Sequence, residues 1–168
     1  MRLVMERELR RQQDRLKTTG AGVILFGLWA FFKLNLFFLM GRSSLTALIE
    51  TDDPQIIRHT MLRAYIILMI LAVAMLILRY LVGTAAIRSA RGGRLRPVTV
   101  VITVMLIMIE SASLISGALS LDESGELLID SLVSMLVDAT SVGMLIGLLT
   151  ASVRYKIIQQ ELLKEATL

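Results

Sequence analysis

A chain of 168 residues is the size of one ordinary domain, but 55% of these residues are hydrophobic and the mean hydropathy is +0.72. That lies beyond a soluble composition, in which about half the residues are apolar and about a quarter charged. The net charge of +4 is carried by short stretches flanking long apolar runs, which excludes an independent nucleic-acid-binding face, and the absence of cysteine excludes disulfides, thiolate metal sites and thiol redox chemistry.

The chain opens with MRLVMERELRRQQDRLK, in which Arg2, Arg7, Arg10, Arg11, Arg15 and Lys17 outnumber Glu6, Glu8 and Asp14. Met5, Leu9 and Leu16 fall near one helical face. The segment therefore suits an amphipathic helix on the inner leaflet or a solvated extension of the span that follows. A signal peptide is disfavoured, because the leading segment is long and contains acids, the apolar run is too long, and no small-x-small cleavage site follows.

Crossing a bilayer takes about 20 predominantly apolar helical residues, and four runs are long enough: 19–41, 64–86, 97–120 and 127–153. None alternates polar with apolar, so helices and not barrel strands are expected. The first contains FFKLNLFF at 31–38, a lysine and an asparagine among large apolar side chains. The second has Arg63 at its start and Arg79 near its far end, and both arginines are expected to snorkel outward. The third starts at Pro97, which suits a first helical turn. The fourth is expected to continue as a helix through YKIIQQELLKEATL into the cytoplasm, offering Ile157, Ile158, Leu162 and Leu163 to a partner or the bilayer surface.

The loop after the second run carries Arg88, Arg91, Arg94 and Arg96 with no acid, and Arg154 and Lys156 follow the fourth. The other two connections, ETDDPQ and LDESGE, are acidic. The positive-inside rule then places both termini in the cytoplasm. The predicted fold is an all-α membrane protein: one four-helix transmembrane bundle over residues 1–168 with short loops, multi-pass in the plasma or inner membrane. The loop arginines Arg88, Arg91, Arg94 and Arg96 are expected to contact anionic lipid headgroups.

Within the spans, Lys33, Glu110 and Asp138 fall near the midplane. An ionisable group facing lipid there costs roughly 2.5–3.5 kcal/mol on insertion scales, so these three are expected to face inward and one another. Asp130, Ser134, Asp138 and Ser141 recur at helical spacing and form a polar stripe, joined from the third span by Thr103, Glu110, Ser113 and Gly117. Arg63 lies at a depth where Asp130 is a possible partner. The second span, without polar residues between its arginines, is the one expected to face lipid.

One lysine against two carboxylates leaves a negative charge that burial resolves by binding a proton or a cation. The functional expectation is an ion, proton or small-solute pathway around this cluster. Four helices are thin for enclosing a pore, so a homo-oligomer or a partner membrane subunit is expected. The alternative is a non-transporting accessory, assembly or scaffold subunit whose buried charges and hydroxyls hold helices or a partner together.

An enzyme is not expected, since there is no GxSxG, HExxH, P-loop or GxGD motif. No cofactor is expected either. His59, the sole histidine, has only Asp52 and Asp53 nearby, too few ligands for a metal. Trp29 is expected to pack, Asn35, roughly opposite Lys33, to mark a subunit contact, and Gly143 with Gly147 to form a GxxxG face. Four short spans with a membrane glutamate are similar to the plan of the small multidrug resistance transporters. The chain departs from that plan in that their glutamate belongs to the first helix, where this sequence has Lys33, while Glu110 is in the third.

Overall fold

The computed structural model describes residues 2–40, 54–93, 97–124 and 129–167. It is all-helical: α1 spans Arg2–Met40, α2 Pro54–Ala90, α3 Pro97–Ser124 and α4 Ile129–Thr167. All four are long and apolar enough to cross a membrane. α1 and α4, at 39 residues each, are about 58 Å long at 1.5 Å per residue, nearly twice the ~30 Å hydrocarbon thickness. Each helix therefore continues well beyond its span.

Local chemistry explains the helix limits. The basic segment 2–17 contains no glycine or proline and is rich in Arg, Glu, Gln and Leu, good helix formers. It joins the first apolar run without a break, so it is an extension of α1. Pro54 and Pro97 sit at the first positions of α2 and α3, where a missing N–H is harmless. α2 ends in a Schellman motif: the Gly93 amide donates to the Arg88 carbonyl at 3.1 Å and the Gly92 amide to the Ser89 carbonyl at 3.0 Å. Gly92 takes φ = 93°, a conformation costly for any side chain with a Cβ.

The chain forms two compact units. The first comprises residues 1–23 and 81–168, hence the start of α1, the end of α2, and α3 with α4. α3 and α4 pack against one another, and the pairing of Glu110 with Ser141 makes them an antiparallel hairpin. Each helix contributes one buried stripe at helical spacing: Gln12, Leu16 and Val23 from α1; Val82, Ala86 and Ala90 from α2; Thr103, Leu106 and Glu110 from α3; Ser141, Leu145 and Leu148 from α4. α1 and α2 approach closely at Gly20, where an added Cβ would lie 2.9 Å from the Gly83 carbonyl oxygen. Small residues let membrane helices meet in this way. α4 meets the other side of α1, with Gly22 against Met144 and Gly147 against Thr19.

The second unit, residues 24–80, pairs the remainder of α1 with the first part of α2 in antiparallel fashion. Gly27 faces Leu76 and Arg79. Further along, the Tyr65 hydroxyl donates to Asn35 Oδ1 at 3.3 Å, and the Tyr65 and Phe38 rings lie 4.5 Å apart. Asn35 thus has a partner within its own chain, and the Asn35 amide also donates to the Phe31 carbonyl.

Two expectations about this unit are corrected. Trp29 is 51% exposed and not packed, because the inward residues of α1 recur at 16, 20, 23 and 27 and position 29 falls on the opposite side. Arg79 is 7% exposed and does not snorkel. α2 runs on to Ala90, about 16 Å beyond Arg79, farther than an arginine side chain reaches. The Arg79 stem instead lies over Gly27, whose added Cβ would be 3.1 Å from Arg79 Cδ. α2 exposes Ile66, Ile67, Ile70, Leu71 and Ile77, as the other helices expose apolar side chains of their own.

Candidate functional site around Glu110

Glu110 is the one charged residue of α3 between Pro97 and Leu119. It lies about 20 Å along the helix from Pro97, inside a ~30 Å hydrocarbon layer. Thr103, Leu106 and Glu110 recur at intervals of three and four, so the stripe that buries Leu106 also carries the carboxylate inward. Glu110 is 9% exposed and Ser141, on α4, is 5% exposed.

The Ser141 hydroxyl donates to Glu110 Oε2 at 2.8 Å across the α3–α4 interface. This distinguishes it from Thr103, Thr140 and Thr150, whose hydroxyls donate to carbonyls of their own helix. The serine O–H donates to a carboxylate, and after rotation its oxygen accepts from a carboxylic acid. The pair can therefore hold a carboxyl group in either state without changing the helix packing.

Around this pair the polar stripe of α4 is graded. Ser141 is buried, while Asp138 and Ser134, one and two turns earlier on the same face, are half-buried. The side chain of Asp130 lies outside the described residues. On α3 the covered stripe stops at Glu110: Ser113 is exposed, and a Cβ at Gly117 would meet nothing within 4 Å. Ser113 is thus not enclosed with Glu110.

Lys33 is half-buried on α1, in the second unit, and Arg63 is exposed on α2. Arg88 and Arg91 are exposed, and Arg94 and Arg96 lie outside the described residues. His59 is exposed, and among the described residues no group of three metal-ligating side chains forms.

Sequence reasoning missed Arg79 as a buried cation. The 64–86 run already places Arg79 inside the span, but only the continuation of α2 to Ala90 sets it well short of the helix end.

No protein-family model matches this chain, and no curated protein or solved structure matches it significantly.

Proposed function

We propose that this protein forms a pathway for protons, cations or small solutes across the cell membrane, with Glu110 as the group that takes up and releases the proton or cation. The observation that carries this reading is the Ser141–Glu110 hydrogen bond, which holds a carboxyl group buried in the middle of a span. Such a group is expensive in lipid and marks ion and proton pathways by default. Asp138, one turn from Ser141 on the same α4 face, is the second carboxylate of the pathway. The basic flanks and acidic connections support cytoplasmic N- and C-termini. An oligomer completes the pathway, since four helices are few for enclosing one.

The same Ser141–Glu110 bond joins α3 to α4 and so favours a second reading, a non-transporting assembly or scaffold subunit whose buried charges and hydroxyls hold helices or a partner chain together. Flux into liposomes separates the two. Wild-type protein is expected to carry a proton or monovalent-cation flux that Glu110→Gln and Asp138→Asn abolish with folding intact. A well-folded wild type that carries no flux, with oligomers weakened by the same substitutions, would replace the first reading with the second.

A further inference from the structure

The first unit gathers basic side chains from three separate helices at one depth. α1 runs along α4 through Thr19 and Gly22, which meet Gly147 and Met144, and along α2 through Gly20, which meets Gly83 and Ile87. Arg15 lies one turn before Thr19 on the face turned to α4. Arg154 lies two turns after Gly147 on the face turned to α1, and Arg91 one turn after Ile87 on the face of α2 turned to α1. Measured from these contacts, the three arginines sit roughly 6–10 Å farther along their helices, at nearly one level.

All three are exposed, around the buried Leu16 and Tyr155. Among the described residues none of the three is paired with a carboxylate, and the acid nearest in sequence, Asp14, is paired with Lys17 at 3.6 Å. Gathered like charges repel unless an anion lies among them. The Schellman motif at Gly92 and Gly93 fixes the end of α2 and with it the position of Arg91, with Arg88 exposed one turn before.

We propose that Arg15, Arg91 and Arg154 form a binding site for the phosphate-bearing headgroup of an anionic phospholipid, with Arg88 at its edge. Depth selects a lipid as the source of the phosphate. The apolar run of α1 begins at Thr18, one turn from Arg15, so the guanidinium groups lie at headgroup level with apolar helix faces directly above for the acyl chains. The site extends the lipid contact expected of the α2–α3 loop to three helices, and it does not depend on the pathway reading.

The test is native mass spectrometry of the full chain released from detergent, titrated with phosphatidylglycerol and, separately, phosphatidylcholine. Wild type is expected to bind phosphatidylglycerol at least tenfold more tightly. The combined Arg15→Gln, Arg91→Gln and Arg154→Gln variant should lose that preference, whereas Arg7→Gln with Arg10→Gln, farther along α1, should stay within twofold of wild type. An unchanged preference in the triple variant, or equal loss in the control, would overturn the site. Millimolar inorganic phosphate should not compete, and competition as strong as the lipid's would make it a soluble-anion site instead. Should the triple variant fail to fold, wild type in 50 and 500 mM salt decides: phosphatidylglycerol binding must weaken with salt while phosphatidylcholine binding does not, and a salt-independent preference refutes the proposal.

Discussion

Replacing single glycines by alanine should separate the seams of the fold from its open faces. In a helix interior, Gly→Ala gains about 0.8–1 kcal/mol, because alanine has less backbone freedom to lose. At Gly143 and Gly117 an added Cβ meets nothing within 4 Å, so the full gain is expected. At Gly20 the Cβ would lie 2.9 Å from the Gly83 carbonyl oxygen, 3.1 Å from Ile87 Cγ1 and 3.3 Å from Ala86 Cβ. The nearest of these is backbone and yields only if α1 and α2 separate. Overpacking of this kind costs about 1–3 kcal/mol, which leaves Gly20→Ala destabilised by about 0–2 kcal/mol after the propensity gain. At Gly27 the obstruction is the flexible stem of Arg79, at 3.1 Å, and the end of Leu76, at 3.3 Å, so the two effects roughly cancel. Reversible unfolding in bicelles, read by tryptophan fluorescence, should rank Gly143→Ala and Gly117→Ala above Gly27→Ala, and Gly27→Ala above Gly20→Ala. A Gly20→Ala variant as stable as Gly143→Ala would refute the close crossing of α1 and α2.

Three further outcomes are expected. Ser141→Ala removes the donor to Glu110 Oε2 and should cost about 0.6–1.7 kcal/mol in the same assay, a cost that Glu110→Gln/Ser141→Ala double-mutant cycles should show as coupling between the two positions. Tyr65→Phe keeps the ring against Phe38 and loses only the 3.3 Å bond to Asn35, so its unfolding free energy should fall by less than about 1 kcal/mol, and oligomeric state by light scattering should be unchanged. Gly92→Ala places a Cβ at φ = 93° and should cost about 1–2 kcal/mol, read as faster amide exchange at Ser89 and Ala90.

The fold was legible where physics acts along the chain. Four apolar runs between charged flanks dictate four long helices, and Pro97 marks where one begins, whereas the second helix starts at Pro54, ten residues before its apolar run. On α4 the polar residues Ser134, Asp138 and Ser141 keep the helical period, of which only Ser141 is buried and Ser134 and Asp138 are half-buried.

What was not legible depends on which neighbour covers which face. The GMLIG motif reads as one close-packing face, but Gly147 meets Thr19 while a Cβ at Gly143 would touch nothing, and the tight crossing is built by Gly20 and Gly83, which belong to no motif. Ser113 keeps the period of Glu110 yet is exposed, since cover over α3 ends one turn earlier. Arg79 was misread because an arginine near the end of a hydropathy window looks like a flank. Its burial becomes visible only when the helix is known to continue to Ala90.

The most direct measurement is infrared difference spectroscopy of the protein in lipid, recorded while pH or cation concentration is stepped, comparing wild type with Glu110→Gln. If Glu110 takes up and releases the transported charge, wild type should show a carboxyl C=O band that responds to the step and is missing from Glu110→Gln, with its frequency displaced in Ser141→Ala. A folded wild type whose carboxyl bands are the same as those of Glu110→Gln at every pH and cation concentration would show that Glu110 is sealed from water, and would contradict a pathway through it.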